Sequence, residues 1–171
     1  MAGSPEVAGG TPRRRRPLLI SDAAGAIYGT IAAMAVIAGT AKQPEHGKAL
    51  SLTIATLFVF WLAHVYAHAL AHHLRGARRL DWSVVRGAMV EEWSLLQGPA
   101  PLLLLLVLGE LGILEERQAV RLALWLGVVE LVTWATLYAR RQSWPWLTAL
   151  TAGAVNGAFG LIIVILEVVV H

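Results

Sequence analysis

Apolar and polar residues follow one another in long blocks along this chain, without the short period of an amphipathic helix or strand. Five apolar runs are separated by short polar segments rich in Arg, Glu, Gly and Pro. A helix needs about 20 apolar residues to cross the roughly 30 Å hydrocarbon core of a bilayer. The pattern therefore predicts an all-α fold, a polytopic transmembrane helical bundle of five spans. The predicted spans cover residues 18–41, 49–73, 84–114, 118–139 and 144–170.

The third span is the least regular of the five. Residues 81–97 are less apolar than the other spans and include Arg86, Glu91 and Glu92. They form either an interfacial helix before the third span or the cytoplasmic extension of that span. Glycine and proline follow at residues 98–101, and proline both lacks a backbone donor and clashes with the preceding turn. The sequence therefore predicts a kink near residues 98–101.

Composition supports a membrane protein and divides the chain into two parts. Hydrophobic residues make up 57% of the chain and charged residues only 15%, whereas soluble domains carry about 25% charged residues. Residues 1–17 are rich in Gly, Pro, Ala and Arg and are predicted to form a disordered cytoplasmic tail. Residues 18–171 form the predicted transmembrane domain. Arg13–Arg16 and the apolar stretch after them resemble a signal peptide, but the length of residues 18–41 favours an uncleaved first span.

Positive charge is unevenly divided between alternate loops. Cytoplasmic loops of membrane proteins carry an excess of Lys and Arg, which predicts a plasma-membrane protein with the N-terminus in the cytoplasm and the C-terminus outside. This topology explains the net charge of +3 without a nucleic-acid partner. The expected partners are the lipid bilayer and either further copies of the chain or other membrane subunits. The basic residues of the predicted cytoplasmic side are Arg13–Arg16, Arg75, Arg78, Arg79, Arg86, Arg140 and Arg141.

Small residues repeat at four-residue spacing in the first span. Gly25, Gly29 and Ala33 would lie on one face of the helix. Such stripes let another helix approach closely in a membrane. We expect this stripe to serve helix packing.

Ionisable residues inside the spans are the candidates for chemistry, because a charged group in hydrocarbon is costly and usually marks a functional site. His64, His68 and His72 share one face of the second span. Histidine titrates near neutral pH, so a series of His, Asp and Glu side chains can pass protons or bind a cation. The predicted direction of each span places several such residues at a similar depth in the membrane. The predicted proton or cation path comprises Asp22, His64, His68, Glu130 and Asn156.

Two other interpretations of these residues stay open. Histidines at i and i+4 can hold one metal ion, with carboxylates from other helices completing the site. The H-x3-H-x3-H-H pattern resembles one histidine box of membrane di-iron hydroxylases and desaturases, which implies a metal-dependent membrane enzyme and a divalent metal. Alternatively, the polar groups join helices by hydrogen bonds in a structural or accessory subunit. Enzymatic activity stays open, and a non-enzymatic role is favoured. The predicted metal ligands are His64, His68, His72, Glu91 and Glu92.

The chain resembles two families. The segments that carry the first resemblance are SDAAGAIYGTIAAMAVIAG, FVFWLAHVYAHALAHHL and EEWSLLQGPAPLLLLLVLG. They are similar to an uncharacterised family of small bacterial integral membrane proteins, which implies membrane location. Ser21 and Asp22 also resemble the Phe-Ser-Asp motif in the first helix of the transmembrane protein 175 potassium-channel family, with Ile20 in place of the phenylalanine. That resemblance implies cation conduction.

Overall fold

The computed structural model describes residues 23–41, 47–74 and 82–170, and these residues form an all-helical fold without strands. The predicted fold class is confirmed at that level. The tail at residues 1–17 and Asp22 lie outside the described residues, as do the side chains of residues 72–74. The helices are α1 (Ala23–Thr40), α2 (Lys48–Leu74), α3 (Trp82–Glu91), α4 (Ser94–Gln97), α5 (Ala100–Glu110), α6 (Glu116–Arg141) and α7 (Trp146–Val170).

Four of these helices, namely α1, α2, α6 and α7, are long and apolar enough to cross a membrane. The bent series from α3 to α5 makes a fifth if it is counted as one span. Large apolar side chains cover the outside of the bundle, as with Phe58 and Val59 on α2 and Phe159 and Ile162 on α7. Soluble monomers rarely expose apolar patches of this extent. The fold is therefore compatible with a transmembrane helical bundle.

The third predicted span is broken in two places. One break follows Glu91, and the second comes at Gly98 and Pro99, between α4 and α5. The segment before this second break is bent by 57° from α5. Proline at positions 99 and 101 removes the backbone donors that would reach the carbonyls of Leu95 and Gln97, which explains the second break. Residues 82–97 thus do not form one continuous helix, and both interpretations of residues 81–97, as an interfacial helix or as an extension of the third span, stay predictions.

The break packs directly on the small-residue stripe of α1. A Cβ atom added at Gly29 would overlap the backbone carbonyl oxygen of Leu95, and one added at Gly98 would overlap the carbonyl oxygen of Ala26. The Leu95 carbonyl receives no helical hydrogen bond from position 99, because Pro99 has no backbone N–H. It lies against the Gly29 backbone, where a weak Cα–H···O contact is available. Gly25 likewise approaches the side chain of Ser94.

The core lies around α1, which packs against α2, α4, α6 and α7. Met34 and Ile37 of α1 are fully buried together with residues of the surrounding helices. The most extensive helix pair is α6 with α7, where Gly153 and Gly157 of α7 meet Val132 of α6. The buried large side chains are Met34, Ile37, Leu57, Leu95, Leu102, Leu124 and Leu131.

Candidate functional site

One polar site joins α2 to the end of α3. The imidazole of His68 lies between two carboxylates, with Nε2 at 3.4 Å from Glu91 Oε2 and Nδ1 at 3.3 Å from Glu92 Oε1. Glu91 is the last residue of α3 and Glu92 follows it, so the end of one helix places two successive carboxylates around one ring. We call His68, Glu91 and Glu92 the His68 site.

The geometry of the His68 site suits a positive charge. A doubly protonated imidazole can donate from both ring nitrogens, whereas a neutral imidazole has only one N–H. Both N–H groups of a doubly protonated ring would thus have a carboxylate oxygen within 3.4 Å. Exposure falls across the site, because the Glu91 side chain is 62% exposed and the Glu92 side chain only 20%. One carboxylate of the site thus lies at the surface and the other extends inward.

Aromatic contacts set how α2 lies along this segment. Trp61 on α2 packs edge-on against Trp93, with ring centroids 6.3 Å apart. His68, which contacts Glu91 and Glu92, lies about two turns further along α2 than Trp61. Trp61 Nε1 and Ser94 Oγ are buried without a hydrogen-bond partner. Trp61 and Ser94 were not among the predicted site residues, since tryptophan and serine are common in membrane-spanning helices.

His64 belongs to a different environment. Its Nδ1 donates to the carbonyl oxygen of Phe60 at 2.8 Å, and its ring lies 5.3 Å from that of Tyr28 on α1. The shared helix face predicted from the spacing therefore does not place His64 at the same partners as His68. The side chain of His72, the third histidine of the predicted series, lies outside the described residues.

Glu130 lies on α6, and the nearby side chain that can donate to its carboxyl is Thr30 on α1. Thr30 is fully buried. The contact falls short of good hydrogen-bond geometry, because neither Thr30 Oγ1 nor Glu130 Oε2 has a partner. Thr30 was not among the predicted site residues. Its position within an apolar span, at a depth similar to that of Glu130, is the signal that could have found it.

Asn156 belongs neither to the His68 site nor to the contact between Thr30 and Glu130. It is half-buried on α7, and its Nδ2 donates to the carbonyl oxygen of Ala152 in the same helix at 3.0 Å. The predicted path is thus divided among separate places. His68 meets Glu91 and Glu92, and Glu130 meets Thr30, while Asp22 lies outside the described residues.

The predicted metal ligands do not form a metal centre in the part of the chain that the structure describes. No group of three or more His, Asp or Glu side chains there could hold a metal ion. His64 turns one ring nitrogen to its own helix, as described above. A site that includes His72 stays a prediction.

Comparison with known proteins adds nothing to this geometry. No family model matches the chain, and neither the curated proteins nor the solved structures give a match. The two family resemblances noted in the sequence therefore stay predictions.

Proposed function

We propose that this chain is an integral plasma-membrane protein of five spans that carries protons or monovalent cations, with the His68 site as the cytoplasmic binding site. The single observation that carries the proposal is the imidazole of His68 between the carboxylates of Glu91 and Glu92. This arrangement can take up and release one positive charge close to the end of α2.

The bent segment from α3 to α5 supports this location. In membrane transporters, ion sites often adjoin discontinuous helices, whose interrupted backbone leaves polar groups that a continuous helix would satisfy internally. Glu91 and Glu92 lie at the first break of this segment. The His68 site therefore combines a titratable group, two carboxylates and an interrupted helix.

The proposed orientation predicts which loops each side of the membrane can reach. The chain contains no cysteine, so a Glu115→Cys or Gln142→Cys variant has a single thiol. We expect an impermeant maleimide to label Glu115→Cys on intact cells and Gln142→Cys only after permeabilisation, since Arg140 and Arg141 adjoin the second position. Phe159→Cys, which is exposed on α7, should resist labelling in both conditions because lipid covers it. Labelling of both loop positions from the same side would contradict the five-span topology.

Transport is tested with the full-length protein in liposomes. A potassium diffusion potential should drive proton uptake, measured with an enclosed pH-sensitive dye, faster than in protein-free liposomes. In a parallel arm, isotopic rubidium uptake reports monovalent cations. Uptake of either ion supports the proposal and identifies the ion. Uptake of both ions at the protein-free rate would overturn it.

A further inference from the structure

A second polar pair lies away from the His68 site, between α1 and α6. Thr30 Oγ1 and Glu130 Oε2 are both buried oxygens without a hydrogen-bond partner. Glu130 lies eleven residues before the end of α6 at Arg141, which is about 16 Å at 1.5 Å per residue. The side chain of Glu130 is too short to bring its carboxyl group to that end of the helix.

The surroundings of this pair are apolar. Ala26, Ala33 and Met34 of α1 are almost completely buried. One turn before Glu130, Gly127 is in close contact with the Met34 side chain, because a Cβ atom added there would overlap it. The two helices therefore approach closely one turn from Glu130, whose side chain is half-buried between them.

Other charges do not compensate the carboxyl within the described part of the chain. There, no Lys, Arg or His forms an ion pair with Glu130. The titratable residues on the described helices packed against α6 are Tyr28 on α1, Glu110 on α5 and Glu167 on α7. Tyr28 packs against rings of α2, Glu110 is the last residue of α5, and Glu167 lies near the end of α7.

We propose that Glu130 and Thr30 form a proton-binding site in the interior of the helix bundle. An isolated carboxylate in an apolar environment costs so much free energy that the group is neutralised instead. One proton added to the carboxyl removes the negative charge and supplies an O–H donor. The carboxylic acid and the Thr30 hydroxyl then provide donors and acceptors for each other. The carboxyl O–H bond forms as an O–H bond of a hydronium ion from the aqueous phase breaks, and a water molecule is left.

The proposal rests on the placement of α1 and α6 inside the membrane, which is part of the proposed function, but it does not require transport. A protein that passes no ions can still hold this proton. The topology and flux experiments can therefore fail or succeed separately from the experiment on Glu130.

Infrared difference spectroscopy of the liposome-bound protein at neutral pH tests this site, because the carbonyl stretch of a carboxylic acid is separate from the bands of carboxylates. We expect a carboxylic-acid band in the wild-type protein and its loss in Glu130→Gln. The matched control Glu115→Gln, an exposed position just before the same helix, should keep the band. A wild-type spectrum without the band, or a band that persists in Glu130→Gln, would overturn the proposal.

Variants of Thr30 test its pairing with Glu130, and they do so even if Glu130→Gln does not fold. Thr30→Val has nearly the same shape but no hydroxyl, so the band should move to higher frequency as a hydrogen bond is lost. Thr30→Ser should keep the wild-type frequency. An unmoved band in Thr30→Val would contradict the pairing. Loss of the wild-type band on addition of sodium chloride at constant pH would show that a metal cation takes the place of the proton, and would also overturn the proposal.

Discussion

Replacing Gly29 with alanine is expected to lower the free energy of unfolding by about 2–3 kcal/mol, the usual effect of forcing extra atoms into a packed interior. The added Cβ atom would overlap the Leu95 carbonyl oxygen. This contact is rigid on both sides, because backbone atoms cannot turn away as a side chain can. Gly98→Ala should have a similar effect through the backbone of Ala26. Equilibrium unfolding in mixed detergent micelles measures both changes.

Two other glycines provide the control. An added Cβ atom meets no neighbouring atom within 4 Å at Gly39 on α1 or at Gly87 on α3. Alanine is favoured over glycine inside a helix by roughly 0.5–1 kcal/mol. Gly39→Ala and Gly87→Ala should therefore be neutral or slightly stabilising. Equal changes of stability in all four variants would contradict the view that Gly29 and Gly98 are needed for the close contact between α1 and the break.

Removing the imidazole of His68 is expected to reduce proton or cation flux in liposomes by about a hundredfold, the lower end of the range for loss of a proton-transfer group. His68→Ala leaves Glu91 and Glu92 without the group between them. Glu92→Gln should reduce flux more than Glu91→Gln, because the Glu92 side chain is less exposed and less solvated. The initial rate of dye response or rubidium uptake measures each effect.

The control for flux is Glu115→Gln, which removes a carboxylate from the opposite end of the bundle. Its flux should equal that of the wild type. Correct folding of each variant is checked by its unfolding transition in detergent. Wild-type flux in folded His68→Ala would show that the ion does not pass through the His68 site.

Much of the fold could be predicted because long apolar segments impose simple rules. Backbone groups cannot remain unsatisfied in a bilayer, so each apolar run of sufficient length has to be helical. The proline residues at 99 and 101 indicated an interruption for an equally local reason. The break after Glu91 and the size of the bend, 57°, were not predictable in this way, since no local residue pattern specifies them.

The candidate site was predicted only in part, and His64 shows why. Spacing places His64 and His68 on one face of α2, but the partner of each depends on where other helices cross that face. His68 meets the end of α3, whereas His64 meets Tyr28 and the Phe60 carbonyl. Thr30 was not predicted as a site residue for the same reason, because the group it lies near, Glu130, is on another helix.

The sequence by itself determined the helical class, the long apolar segments and the residue types that can carry a positive charge, because these follow from chain composition and helix geometry alone. The tertiary structure decided that Glu91 and Glu92 enclose His68, that Thr30 faces Glu130, and that Gly29 receives a carbonyl freed by proline. Each of these contacts joins residues far apart in the chain. The crossing angle and register of packed helices depend on all their side chains together, so no local pattern specifies them.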